Sequence, residues 1–212
     1  MNPKQTFYQT QADTIIKHLQ KRRMEGYYCP TKEDAVKTAM SLTAAGTSVS
    51  FGGSMTLAET GILDALKNRD DIRLIDRSLA KTPQEVKQAY RDSFSADTYF
   101  MSTNAITLDG HLVNVDGNGN RVAALAYGPD QVIIVTGMNK VTSTVEDAIR
   151  RVSNLASPPN CVRLNKKTPC AATGRCAECL GDDCICSQTV ITRRSGVIGR
   201  IKVLFVGEEL GY

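Results

Sequence analysis

Across residues 4–24 apolar positions recur at helical spacing, with Phe7, Ala12, Ile15, Ile16 and Leu19 near one face and lysines and arginines on the other. That pattern predicts an amphipathic helix. A second helix is predicted in "PTKEDAVKTAMSL", where Thr31 is the N-cap, Asp34 takes the capping-box position and Gly46 closes the segment. "TSVSF" then reads as a short strand running into "GGS". From Thr56, "TLAETGILDALKN" has the helical pattern again, and "IRLID" reads as a strand. "TPQEVKQAYRDSF" carries a full start signal, with Thr82 as cap, Pro83 at the first helical position and Glu85 in the capping box.

Beyond residue 97 strand patterns dominate. "TYFMS" and "HLVNV" are strand-like, and "DGNGN" between "LVNV" and "RVAAL" predicts a hairpin. "QVIIVTG" is the continuous apolar run expected of a parallel strand buried on both faces. Ser143 is placed to cap a helix through "TVEDAIRRVSNLA", and Pro158-Pro159 to stop it; "TVITRR" and "RIKVLFVG" are the last strands. Strands alternating with helices, plus an antiparallel hairpin insert, predict an α/β sandwich around a mostly parallel sheet. The chain divides into an α/β core (1–157), a cysteine-rich loop (158–188) and C-terminal strands completing the same domain (189–212). A loop of about 30 residues inside a compact domain needs something to hold it, and a bound metal would do so.

Composition narrows the function classes. The 212 residues suffice for a full core, and 42% hydrophobic with 23% charged residues is ordinary for a globular protein. The net charge of +4 is evenly spread, no Lys/Arg run is interleaved with aromatics, and Trp is absent, which argues against a nucleic-acid partner. No apolar run approaches the ~18 residues of a membrane span, and the N-terminus lacks a signal-peptide pattern. A cytoplasmic protein without membrane association is expected, in a compartment where stable disulfides are disfavoured. Against that background, "CAATGRCAECLGDDCIC" packs five of the seven cysteines between Cys170 and Cys186. Metal ligation, free reduced thiols and redox-active disulfides are the three readings of that stretch.

Candidate binding residues sit after predicted strands. Gly52, Gly53 and Ser54 stand between a strand and a helix, where backbone N–H groups can cradle an oxyanion or phosphate; the same glycines also make a plain tight turn. The loop is neither a Walker A sequence nor a dinucleotide fingerprint, and no organic cofactor is expected. Asn104, with Ser102 and Thr103, follows "TYFM" at a strand's C-terminal end, the ligand side of an open α/β sheet. Asn104 and Asn120 would orient a ligand, and Arg121 and Lys140 would neutralise its charge, the Arg121 fork suiting a carboxylate or phosphate. Glu59 and Asp109 would supply acid–base or nucleophilic chemistry in an alternative, isomerase- or CoA-transferase-like enzyme acting on a phosphorylated or thioester substrate. His111 lacks a matching nucleophile pattern, and no catalytic residue can be named.

Read in order, "GGSMTLAETG", "ADTYFMSTNAITLDGHLVNVDGNGNRVAA", "VTGMNKV", "IRRVSNLASPPNCVRL" and "TPCAATGRCAECLGDDCIC" resemble the LUD (lactate-utilisation) domain family. The likeness extends from about Phe7 to Tyr212 and is strongest to small stand-alone members with a C-terminal cysteine segment. It implies a three-layer, Rossmann-like fold of the ribose-5-phosphate isomerase/CoA-transferase type. It also implies a place in lactate or small-carboxylate redox metabolism, beside iron–sulfur and other LUD proteins; a redox protein and a second copy of the chain are the partners considered. The family pattern C-x5-C-x2-C-x6-C falls on Cys170, Cys176, Cys179 and Cys186, and leaves Cys161 and Cys184 outside the set. The residues alone point to a similar place: Cys176 and Cys179 form a chelating C-x-x-C, and Gly174 and Gly181 let the chain wrap. Four thiolates suit zinc or a [4Fe–4S] cluster, and spacing leaves that choice open. A non-catalytic binding or regulatory module is the third functional reading.

Overall fold

The structure is a computed structural model describing residues 2–212. Its first half contains α1 (Pro3–Lys21), β1 (Glu25–Cys29), α2 (Lys32–Ser41), β2 (Ser48–Phe51), α3 (Met55–Glu59), α4 (Ile62–Lys67), β3 (Arg73–Ile75), α5 (Pro83–Ser93) and β4 (Thr98–Met101). There follow β5 (Ala105–Thr107), β6 (Leu112–Asp116), α6 (Asn120–Ala126), β7 (Gln131–Gly137), β8 (Val141–Thr142) and α7 (Val145–Arg151). The last elements are α8 (Ser157–Arg163), α9 (Pro169–Thr173), β9 (Gln188–Thr192) and β10 (Ile201–Val206).

Six strands form one sheet in the order β1-β10-β7-β4-β2-β3, with every pairing parallel. Strand alternation sends Tyr99, Met101, Val132, Ile134, Val203 and Phe205 to one face, where Ala12, Ile15 and Leu19 of α1 and Leu125 of α6 cover them. Phe100, Ile133, Val135, Leu204 and Val206 face the other side, against Ala35 and Ala39 of α2 and Ile62 and Leu66 of α4. The molecule is therefore an α/β sandwich built on a parallel sheet. β7 lies at the center, paired on both sides, which is why its sequence is apolar without alternation.

A second sheet, in the order β8-β5-β6-β9, holds the antiparallel pairs β5–β6 and β6–β9. Here the structure corrects the sequence reading. The hairpin turn lies between β5 and β6, not at "DGNGN". Asp116 Oδ2 accepts from the Arg121 and Val122 amides (3.0 and 3.2 Å), so "NRVAALA" starts a helix instead of a return strand. The predicted helix from Thr56 is broken in two by Gly61, whose left-handed backbone (φ 79°) ends α3 and starts α4. Thr144, not Ser143, caps α7. Pro158-Pro159 does not stop the helix. A π-type turn at residues 152–156 reopens the hydrogen-bond ladder, and the prolines fall in the first turn of α8, where their missing N–H groups cost nothing. Strand β1 was not foreseen, and the two strands read near the C-terminus join different sheets.

Candidate functional site

The C-terminal ends of β2, β4, β6 and β7 open onto one cleft of about 460 Å³. Gly53, Ser54, Asn104, Asn120, Arg121 and Lys140 all line it, so positions spread over nearly ninety residues of sequence share one wall. Gly52 does not. Its amide donates to the Phe100 carbonyl (2.8 Å) within the sheet, so that N–H is spent. Gly53 serves by lacking a side chain: a Cβ there would sit 2.6 Å from an Arg77 guanidinium nitrogen. Ser54 caps α3, accepting from the Leu57 amide (3.3 Å).

Arg121 organises the wall. One terminal nitrogen donates to the Ser102 carbonyl (3.0 Å) and Asn114 Oδ1 (2.6 Å), the other to Asn104 Oδ1 (2.9 Å) and the Val115 carbonyl (2.8 Å). Asp116 stands 4.0 Å from its Nε. Asn104 Oδ1 also accepts from the Val115 amide (3.0 Å). Both terminal nitrogens and the Asn104 carbonyl are thus engaged by protein. Their effect on a ligand is the charge they place and the shape they hold, and not the free fork read from the sequence. Asn114 Nδ2, beside this network, is the one buried side-chain polar atom without a partner among the described residues.

Lys140 is different. It lies just past β7, 3% exposed, and Nζ donates to Thr56 Oγ1 (2.7 Å) and Ser102 Oγ (3.1 Å). No carboxylate among the described residues pairs with it. Burial, reinforced by the nearby Arg151 and Arg121 charges, brings its pKa down to about 7, with Glu59 only weakly opposing. Arg151 is itself buried, donating to the Asn139 and Asn104 carbonyls (3.1 and 2.8 Å). The Lys140 amine therefore lies beside two guanidinium charges, those of Arg121 on the cleft wall and Arg151 behind it.

Other charges come from segments the sequence reading did not connect to this site. Arg77 follows β3, bonds Tyr90 (3.1 Å) and faces Gly53; Arg163 and Lys166 arrive from the end of α8. Arg77 was within reach of the strand-end rule applied to "IRLID"; the other two carry no local signal. Glu59, Asp109 and His111 do not line the cleft. The Glu59 carboxylate accepts from the Gly211 amide (2.7 Å), and Asp109 and His111 lie on the turn near Arg22.

The cysteines gather beside the cleft, where Cys184 and Ile185 form part of its rim. Buried Cys170 meets buried Cys161 (Sγ–Sγ 3.6 Å), one of the two thiols outside the family pattern. The Cys179 thiol stands near that of Cys184, the other outsider. The Cys186 thiol contacts Ser157 Oγ (3.3 Å). Desolvation and the neighbouring Cys170 push the Cys161 thiol up to about 11, and burial raises Cys186 as well. Among the described residues no three His, Cys, Asp or Glu side chains stand together as a metal site, so Cys170, Cys176, Cys179 and Cys186 do not converge on one point.

No helix among the described residues is long and apolar enough to cross a membrane. No curated protein matches the chain. A crystal structure of a DUF162 family protein from Deinococcus radiodurans superposes with a TM-score of 0.51 at 16% identity, covering 95% of this chain and 98% of that one. Weaker likenesses are eIF2B delta from Chaetomium thermophilum (TM-score 0.38, 15% identity, 65% of this chain and 54% of that one) and ribose 5-phosphate isomerase from Plasmodium falciparum (0.33, 18%, 53% and 52%). The LUD domain model matches residues 12–206, from within α1 to the end of β10, and the chain belongs to the LUD domain family.

Proposed function

We propose that this LUD-domain protein binds a small carboxylate or phosphate at the strand ends and serves lactate-related, small-carboxylate redox metabolism. The observation that carries the reading is Lys140: a buried amine held by two hydroxyls, without an acid partner, beside the Arg121 and Arg151 charges. Burying like charges together is unfavourable unless an anion compensates them. Arg77 and Arg163 extend the positive field to the rim, opposed by Asp116 and Asp182, while Lys166 is paired with Asp183 (3.1 Å). Calorimetric titration with lactate, pyruvate and inorganic phosphate tests it. At least one should bind, and Lys140→Met should weaken that binding by at least about tenfold, the cost of one charge-assisted hydrogen bond. Absence of binding by all three at millimolar concentration overturns the reading.

The cysteine segment is the proposed redox end. Burial raises the Cys186 thiol's pKa, and the thiols of Cys184, Cys176 and Cys170 lie near enough to add to that push, which supports a shared role. Zinc or a [4Fe–4S] cluster on Cys170, Cys176, Cys179 and Cys186 requires the segment to close further than it does here; a cluster would supply one-electron transfer. Metal content and the visible spectrum of anaerobically purified protein test this part. Metal-free, colourless protein overturns it without touching the anion site.

A further inference from the structure

Resting on the anion-site reading, we propose that Lys140 is a covalent site: its amine condenses with the carbonyl carbon of a small 2-oxo acid. Nζ is tetrahedral, with three positions besides its bond to Cε. Two of its tetrahedral positions are used, toward Thr56 Oγ1 and Ser102 Oγ. Those hydroxyls have acceptors of their own other than the amine: the Leu210 carbonyl for Thr56 (3.4 Å), and Thr56 Oγ1 or the Thr103 carbonyl for Ser102 (3.3 Å each). The amine therefore gives hydrogen bonds and receives none, and its remaining position has no protein partner. In the neutral form that position is a lone pair, on a residue that lines the cleft.

Burial and neighbouring cations favour the neutral form, and no acid stands close enough to lock in an ammonium. The hydroxyls are poor rivals as nucleophiles, because no His or carboxylate accepts their protons and the amine does not either. The same cations that disfavour the ammonium favour a carboxylate next to the reacting carbon, which selects a 2-oxo acid over a simple ketone.

The step balances without an oxidant or reductant. The Nζ lone pair forms the C–N bond and the C=O π pair moves to oxygen. Two protons pass from nitrogen to that oxygen, directly or through water, and it departs as water to leave a C=N bond.

The test uses the full chain with pyruvate and sodium cyanoborohydride, which reduces an imine to a stable secondary amine, followed by intact mass and peptide mapping. Lys140 should label about 10–100 times faster than the surface lysines, since far more of its amine is neutral at pH 7. Lactate and phosphate, which bear the anion without the carbonyl, should slow labelling, and Lys140→Arg should abolish it at this peptide. Labelling spread over other lysines, or none, in protein that binds lactate calorimetrically overturns the imine and leaves the anion site standing. Labelling at Lys140 that neither lactate nor phosphate slows overturns the anion reading instead. Because the mapping is done on the unaltered chain, the result does not depend on a variant folding.

Discussion

The cleft floor and the cysteine segment lie side by side and hold most of the chemically versatile side chains, yet they are built on opposite principles. Around Arg121, five protein groups engage one guanidinium, and the Asn114 and Asp116 side chains come from β6 itself, with Asn104 from the loop before β5. Between Arg175 and Ser187 there is no helix or strand; the Cys184 amide to the Gly181 carbonyl (2.9 Å) and the Asp183 carboxylate on Lys166 and the Lys167 amide (3.1 and 2.8 Å) are its main ties. Leu180 is 99% exposed there. Buried polar networks fix a geometry because each unmade bond is expensive. Thiols are weak hydrogen-bonding groups and fix little. One region is preorganised; the other waits for something to organise it.

The sharpest way to break this comparison is to remove Arg121. Arg121→Ala takes the guanidinium partner from Asn104, Asn114 and two carbonyls, and should cost about 3–5 kcal/mol in urea unfolding, as expected for one partner lost from a buried charged network. A loss under about 1 kcal/mol would mean that the wall is not held as described.

Lys140 should behave in the reverse sense. Its folded pKa of about 7 lies below the ordinary 10.5, so between those values the unfolded chain binds more protons and stability rises with pH. The full penalty of burying the ammonium applies below pH 7 and disappears above 10.5. Lys140→Met should therefore stabilise the protein at pH 6 by about 1–4 kcal/mol, while weakening anion binding. The difference between wild type and variant should shrink as pH climbs through this window. Thermal unfolding of both proteins across that range checks the sign; a gap that widens with pH would refute it.

A smaller effect separates what local sequence decides from what the fold decides. Thr144→Ala should cost about 1 kcal/mol, because Thr144 Oγ1 caps the Asp147 amide (3.1 Å), whereas Ser143→Ala should change stability by less than about 0.5 kcal/mol. Thermal denaturation distinguishes the two.

Caps at Thr31 and Thr82, the amphipathic α1 and the apolar β7 were legible because their causes lie within a few residues. "DGNGN" misled because its turn residues promise a hairpin, while its own first residue, Asp116, reaches forward to cap a helix. Pro158-Pro159 misled because a π-type turn upstream shifts the register in which prolines are harmful. Within the site, Asn104 and Lys140 were found by standing past strands. Nothing local says that Lys140 is buried, or that Arg121 spends its donors on protein. Arg163 and Lys166 reach the cleft from the end of α8, and the Cys161–Cys170 contact arises where α8 meets α9; no spacing rule foretells either.

The smallest expected effect tests the other half of the comparison. Replacing Cys176 and Cys179 together by Ser removes two partly exposed thiols from a segment with few bonds to lose. In metal-free protein the change in unfolding free energy should stay within about 0.5 kcal/mol. If the segment is organised by a metal, the same substitution should instead lower the stability of metal-loaded protein by the full linkage of ligand binding to folding, about 2.7 kcal/mol when free metal stands at 100 times its dissociation constant. Measuring the pair of variants with and without added zinc thus asks directly what orders the segment. An equal, large loss in both conditions would show that the thiols already hold their own structure, and the contrast with the cleft floor would fall.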